Sequence, residues 1–441
     1  MEMTAPTAES AAQSQADLLS VDADFLWHPW SPSRVSAETT VVVAGDGCEV
    51  QDVDGRRFLD AKSSGLNATL GYGCRPVIDA ISAQLRQLMT YDMGEGSNVP
   101  AIRLAERIAG LTGPHLTRTF FCNSGSEALE TGIRIARFYQ AVLGFPERTV
   151  VVSLDNAYHG STMAAAACSA TSSPVADDVA PSGFVTVRRP GRAGAESIEG
   201  PEGIEDLREF LSANGTRTAA VLVEPVQGRG GYVMPDACLR EIREMCDQQG
   251  ILLILDEVMT GFGRTGRMFA YEHAGVQPDI LATSKGLSAG YMSLAAVTTT
   301  TRVFDVFDRN KDKAGFVHGH THSGHAAACA AGLAVIDFIE TQGVLSNVRA
   351  RGEQLLDALE PVRSMPGVRD LRGRGLLVAV ELDRARRAAR VKDHMRGSGI
   401  LVRRTGRSIV LAPPLIITAS QTDRIAQALV AAASAAASEA P

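Results

Sequence analysis

The sequence predicts an α/β fold: a mainly parallel sheet in a large domain, with a second, smaller domain built on it. Three observations carry this. Between about residues 100 and 330, short apolar runs alternate with amphipathic helical stretches. The runs are apolar throughout rather than alternating, as expected of strands buried on both faces. The chain is also long, at 441 residues with 45 % hydrophobic residues, which is more than one compact core usually holds.

Residues 1–22 are rich in Ala, Ser, Gln and acid, and no basic segment precedes an apolar one. They read as a disordered tail, not a secretory leader. Residues 23–85 are assigned to the small domain, where Val41–Val43, the turn Asp52-Val-Asp-Gly55 and Arg57–Asp60 suggest a short meander closed by Asp-Gly. Residues 86–330 form the large domain. Its candidate strands are Arg118–Cys122, Thr149–Ser153, Ala219–Glu224 and Ile251–Asp256, and a helical stretch covers Leu129–Tyr139. The polar, Pro/Gly-rich stretch Val175–Gly203 reads as a long surface loop. After Gly324 a small-residue helix is expected over Ala326–Ile339, and residues 331–441 return to the small domain. They end in an alanine-rich helix over Ala419–Ala440.

A net charge of −7 offers no basic footprint for nucleic acid or an anionic membrane. No apolar run approaches the roughly 20 residues a bilayer requires. The seven cysteines never form CxxC, which suits reduced thiols in a cytoplasm better than disulfides or zinc.

The chemistry-bearing residues fall at predicted strand ends. The run Gly250–Val258 ends in Asp256 and Glu257, and Lys285 follows 29 residues after Asp256, among the small residues of Leu281–Leu287. A carboxylate at a strand end and a lysine on a small-residue loop are the two anchors of a pyridoxal phosphate ring. The amine condenses with the aldehyde as a Schiff base, and the carboxylate keeps the ring nitrogen protonated. Lysines after small residues are common, so the pair gains weight only from its surroundings.

In Asn123-Ser-Gly-Ser-Glu-Ala128, the amides of Gly125 and Ser126 open a helix as an anion site. The Ser124 and Ser126 hydroxyls add donors, though an ordinary helix cap would use the same serines. Tyr158, after the Thr149 strand, is placed to stack on a flat ligand at the sheet's carboxyl edge. A half-buried loop tyrosine is the commoner occurrence. Glu224, before Pro225, puts another carboxylate at that edge.

Gly261-Phe-Gly-Arg-Thr-Gly266 matches GxGxxG, yet Asp256 and Glu257 end the strand where a pyrophosphate would lie. A loop-shaping role is therefore expected, not a dinucleotide site. The cluster His318, His320, His322 and His325 fits no zinc spacing, while Thr321 and Ser323 in the same turn suit an anion. Arg403 and Arg404 form a surface pair by default, and either one turned inward would clamp a carboxylate.

From about Phe25 to Thr418 the motif series resembles the class III (omega-type) aminotransferases. It comprises Ser124–Ala128, Tyr158–Gly160, Glu224-Pro225, Leu255–Gly266, Ser284–Leu287, His318-Gly-His-Thr321 and Pro413–Leu415. The resemblance implies a fold-type I pyridoxal-phosphate transferase, with a seven-stranded sheet and a small domain formed by both chain ends. It further implies a homodimer with shared active sites. Ser124, Gly125 and Ser126 would hold the cofactor phosphate, with Thr321 given across the dimer interface. Tyr158 would stack on the ring, Val258 would lie beneath it, and Glu224 would stand beside it. Asp256 would hold the ring nitrogen, Lys285 the aldehyde carbon, and Arg403 rather than Arg404 the substrate carboxylate.

The implied reaction is ping-pong transamination from an amine donor to an aldehyde or ketone, and no metal is expected. Racemase, aminomutase and decarboxylase chemistry share the scaffold. Phe25–Trp30 and Gly290–Leu294 are similar to diaminopelargonate (biotin-pathway) aminotransferases, for which S-adenosylmethionine is a donor candidate. Lys285–Tyr291 and Thr321–His325 are similar to omega-amine enzymes. The diaminopelargonate group keeps a tryptophan pair where this chain has Gly65-Leu66 and a tyrosine where it has Trp30, and the omega-amine group keeps a tryptophan near Asn67 and a tyrosine at His322, all absent here. Trp30, Leu66, Tyr158 and Arg403 are expected to line the substrate pocket, and a larger or more polar substrate is expected to fill it.

Overall fold

The computed structural model describes residues 14–30, 39–170, 181–190 and 203–438. Its centre is a seven-stranded sheet in the order Leu116–Cys122, Ala295–Thr300, Ile280–Thr283, Leu252–Asp256, Thr218–Val223, Val150–Leu154 and Phe184–Val187. Neighbours are parallel except at Ala295–Thr300, which runs against both of its partners. The four central parallel strands are buried along their whole length, which explains why their sequences do not alternate.

The helix Gly125–Val142 lays Leu129, Ile133 and Ala136 on one face of the sheet against Leu222, Ile254, Ile280 and Val297. Each such fully buried aliphatic side chain contributes about 1.5–3 kcal/mol. The second face is closed by the larger core, where Leu253, Leu255 and Leu281 meet Ile242 and Phe262.

Both chain ends meet beside this sheet. Val42–Asp46, Glu49–Asp52 and Arg57–Asp60 form the expected meander, and Ile400–Leu401 joins it in parallel with Ile400 opposite Leu59. A four-stranded antiparallel sheet follows in the order Val368–Arg374, Leu377–Leu382, Ser408–Leu411 and Arg403–Thr405. The small-residue helix runs over Ala326–Thr341 and the last helix over Ala419–Ser438. Among the described residues no single helix is long and apolar enough to cross a membrane.

Two expectations need correction. The stretch read as a loop over Val175–Gly203 holds the edge strand Phe184–Val187, while its residues 175–180 and 191–202 lie outside the described ones. Four residues at a sheet edge, flanked by Gly183 and Pro190, carry too short an apolar signal against that polar background. Within the tail read as disordered, Gln15–Phe25 is a helix, and residues 1–13 lie outside the described ones. Its start is fixed locally: the Ser14 hydroxyl accepts from the Asp17 amide at 3.2 Å and the Asp17 carboxylate answers back. None of its residues is buried, so no amphipathic pattern advertised it.

The glycine loop after Asp256 is built around a carboxylate. Glu257 is buried and accepts from the Thr260 hydroxyl and from the Ala270 and Tyr271 amides, each at 2.8 Å, while burial pushes its carboxyl up to about 7. Arg264, also buried, donates to the Leu376 carbonyl at 3.0 Å and the Pro413 carbonyl at 2.5 Å, tying the loop to the C-terminal segment. Glu257→Ala leaves three donors without an acceptor. It is expected to lower unfolding stability by about 3 kcal/mol or more, read from urea titration.

Candidate active site

Parallel strands end on one edge, and the predicted residues follow those ends. Ser124 comes after Leu116–Cys122, Tyr158 after Val150–Leu154, Glu224 after Thr218–Val223, and Lys285 after Ile280–Thr283. Asp256 closes its own strand and pairs in register with Ala282, so Lys285 leaves the adjacent strand three residues further on. Ligands of open α/β sheets bind at such carboxyl edges.

Asp256 is 5 % exposed and fully engaged. One oxygen accepts the Val258 amide at 3.0 Å and the other lies 2.8 Å from Nδ1 of His159. A buried carboxylate needs such donors to hold its charge. His159 is buried as well; its amide donates to the Ser169 hydroxyl at 2.8 Å, and its Nε2 is enclosed with no partner among the described residues. Sequence reasoning passed over His159 as a site residue. The available signal was its place beside Tyr158 after a strand that ends at the same edge as Asp256.

Glu224 accepts the Tyr158 amide at 3.1 Å and the Gly228 amide at 3.0 Å. Burial raises its carboxyl to about 7, with His159 opposing the shift and Asp256 adding to it. Lys285 is half-buried and left-handed at φ 31°. Its amine falls to about 8, chiefly because burial disfavours the cation. Asp256 and Glu224 oppose that shift, and Arg403 strengthens it. Arg403 is half-buried and Arg404 exposed, its guanidinium donating to the Gly406 carbonyl at 3.1 Å. The alternation of the Arg403–Thr405 strand therefore settles which arginine turns inward.

The helix Gly125–Val142 points its N-terminus at the same place. Ser124 caps it, its hydroxyl accepting the Glu127 amide at 3.2 Å, so that hydroxyl does double duty with any anion. The Ser126 hydroxyl accepts the Ser161 amide at 3.0 Å, and the Tyr158 hydroxyl pairs with Ser161 at 2.9 Å. A Cβ on Gly125 would stand 2.8 Å from a Val258 methyl, and one on Gly160 2.6 Å from the Ser126 hydroxyl. Two glycines thus let the helix start, Val258 and the Tyr158 loop close around one point. A helix N-terminus for a phosphate, a buried carboxylate for a ring nitrogen and an amine of lowered basicity form a donor set that fits pyridoxal phosphate.

Known proteins are similar to this chain over most of its length. The aminotransferase class-III family profile matches residues 31–433. The chain belongs to the class III aminotransferases. It is 36 % identical to an adenosylmethionine-8-amino-7-oxononanoate aminotransferase of Nitratidesulfovibrio vulgaris, over 95 % of this chain and 82 % of that protein. It is 32 % identical to a taurine–pyruvate aminotransferase of Bilophila wadsworthia, over 93 % and 95 % of the two chains. Among solved structures, an amine transaminase from an uncultivated Pseudomonas species, in its pyridoxal-phosphate-bound form, superposes with a TM-score of 0.86. That pair is 34 % identical and covers 92 % of this chain and 98 % of that one.

Three expected site residues stand apart in this class III aminotransferase. Leu66 was expected to line the pocket; instead it is 1 % exposed and enclosed by Val226, Met259, Leu377 and Ala412. Its left-handed backbone, at φ 68°, turns the side chain into that small core. Trp30 is 82 % exposed and is not packed into the cluster. Thr321 is exposed in a turn before the helix Ala326–Thr341.

The histidines around Thr321 have packing roles. His318 stacks on Phe120 with ring centres 5.7 Å apart and sits 3.1 Å from the Thr131 hydroxyl. His325 accepts the Ala328 amide at 3.4 Å as a helix cap.

Proposed function

We propose that this chain is a pyridoxal 5'-phosphate-dependent aminotransferase that moves an amino group from an amine donor to an aldehyde or ketone acceptor in two half-reactions. The observation that carries the reading is the Lys285 amine, lowered to about 8 at the strand edge where Asp256 is held. When bound, the cofactor supplies an electron sink for the pair left behind when a proton leaves the substrate carbon.

The rest is done by side chains of this chain. Ser124, Gly125 and Ser126 would hold the phosphate, Tyr158 and Val258 the two ring faces, and Asp256 the ring nitrogen, with Glu224 beside it. Lys285 would hold the aldehyde carbon and, once displaced by the donor amine, carry the proton at the substrate carbon. Borohydride reduction followed by peptide mass spectrometry should place the trapped cofactor on the Lys285 peptide. A label on another lysine, or none, overturns the assignment.

Lys285 also sets a pH dependence. Its neutral amine is the proton acceptor, so turnover is expected to rise with pH through about 8 and level off above it. A kcat profile flat across that range would contradict the role.

Arg403 would hold the carboxylate of an amino-acid or oxo-acid partner. Arg403→Ala is expected to raise KM for acids about tenfold or more, as fits one lost charge-assisted contact, while plain amines change little. Steady-state kinetics on paired acid and amine substrates decides it.

The exposed position of Thr321 supports a homodimer in which it reaches the partner's phosphate site. Sedimentation at working concentration should then give a dimer. The pairing of Ile400–Leu401 with Arg57–Asp60 supports a small domain made of residues 23–85 and 331–441, set against a large domain of residues 86–330. Seven free thiols, six of them buried, support a cytoplasmic location.

The 36 % identical relative favours a second reading, the diaminopelargonate reaction. Amino transfer from S-adenosylmethionine to 8-amino-7-oxononanoate, in preference to simple amines with pyruvate, would select it.

A further inference from the structure

Two half-buried arginines, Arg403 and Arg229, have no ion pair among the described residues. Three others on and beside the C-terminal sheet are neutralised. Arg372 lies 2.7 Å from Asp370 and 2.9 Å from Glu381, Arg374 2.8 Å from Asp236, and Arg407 2.8 Å from Glu381. Holding a guanidinium partly out of water is unfavourable unless a counter-charge arrives from elsewhere.

The fold sets both cations on one side of the candidate site. Arg403 is opposite Val410 and Val410 is opposite Ala379, so these three side chains share one face of the sheet. Val410 and Ala379 pack with Val226 and Met259, which follow Glu224 and Asp256 by two and three residues. That face is therefore the one turned toward Asp256 and Glu224.

The loop that carries Arg229 lies on the same face. A Cβ on Gly231 would stand 2.9 Å from the Ala379 Cβ, and one on Gly230 3.4 Å from the Ser408 hydroxyl. Two glycines thus bring the backbone flat onto the sheet directly after Arg229. The Arg229 carbonyl accepts the Asn156 side-chain amide at 2.7 Å, and its guanidinium donates to the Ala170 carbonyl. The Ala170 amide in turn donates to the Ala157 carbonyl at 3.0 Å. Both ends of Arg229 are therefore held beside Tyr158, and the Ala170 bond engages one of five guanidinium donors. Burial lowers the basicity of Arg403; Tyr158 opposes that shift and the Arg229 cation adds to it.

We propose that Arg229 is a specificity-determining residue, a second cation beside Arg403 that binds the distal anionic group of a diacid amino or oxo substrate. The proposal rests on the aminotransferase reading above and narrows it. Arg403 takes the carboxylate next to the reacting carbon, and Arg229 takes the one at the far end.

The test uses glutarate and pentanoate, which share a chain length and differ by a carboxylate against a methyl group at one end. Their binding to holoenzyme, read by isothermal titration calorimetry, needs no turnover. The wild-type chain should bind glutarate about tenfold or more tighter than pentanoate, as fits one added charge-assisted contact. Arg229→Met removes the charge and keeps an unbranched stem, and should bring the two within about twofold. Arg229→Lys returns a cation without the planar fork, and should hold a preference of about threefold or more. The KM ratio of 2-oxopentanoate to 2-oxoglutarate as acceptors should move the same way.

An Arg229 that only tethers its loop to Ala170 would lower the melting temperature of Arg229→Met and weaken both acids alike, which overturns the proposal. So does a methionine variant that keeps the wild-type preference. A wild-type enzyme that binds the two acids equally overturns it too, whether or not the methionine variant folds. If the wild-type chain binds glutarate selectively yet transfers no amino group to 2-oxoglutarate or pyruvate, it is the aminotransferase reading that has failed.

Discussion

Lys285→Ala is expected to reduce transamination by about a thousandfold or more, because it removes the group that would move the substrate proton and the only covalent anchor proposed for the cofactor. Binding of the cofactor through its phosphate should survive. The proposed phosphate site would rest on the N-terminus of the helix Gly125–Val142 and on Ser124 and Ser126, none of which depends on the lysine. The variant should therefore bind the cofactor without covalent capture by borohydride. Near-normal turnover in it would remove the lysine from the mechanism. The half-buried setting of Lys285 would make the proposed chemistry available near neutral pH, since a lysine at its ordinary value near 10.5 would be almost wholly charged there.

Asp256→Ala is the second large loss, on the order of a hundredfold to a thousandfold in kcat with saturating cofactor, the scale of removing one preorganised electrostatic partner from a dry site. It also strands the Val258 amide and His159 Nδ1, now held at 3.0 and 2.8 Å. Each stranded buried donor destabilises the fold by about 1–3 kcal/mol, so thermal unfolding should fall along with activity. Asp256→Asn separates the two effects, because it keeps the shape and removes the charge. If charge is what holds the ring nitrogen protonated, the asparagine variant should lose nearly as much turnover as alanine while regaining part of the stability. An asparagine enzyme with wild-type kcat would show that Asp256 is structural.

What the sequence made legible follows from what its signals are made of. The central strands were readable because burial on both faces leaves runs such as Leu252–Asp256 wholly apolar. Strand-end residues were readable because a polar group after such a run has one edge to occupy, which places Asp256, Glu224, Tyr158 and Lys285 together. The Arg403 and Arg404 pair was open by residue type, and only strand alternation in the folded chain separates them.

Leu66 shows the opposite case. Its neighbours in sequence resemble a pocket wall, but a run of four left-handed residues reverses its direction, and nothing in Ser-Ser-Gly-Leu announces that run. His159 was hidden because a histidine beside a tyrosine has no distinctive pattern until the fold sets it 2.8 Å from Asp256. Phe184–Val187 was lost to its short length, and the Gln15–Phe25 helix to the absence of any buried face.

The central claim is that this site transfers an amino group by way of Lys285. Its most direct measurement is a single half-reaction: purified holoenzyme, an amino donor, no acceptor, and quantitation of the carbonyl product. The account predicts one equivalent of product per subunit from the wild-type chain, a stop there until acceptor is added, and essentially none from Lys285→Ala. Release without limit, donor epimerised with no carbonyl product, or an equal yield from the lysine variant would contradict it.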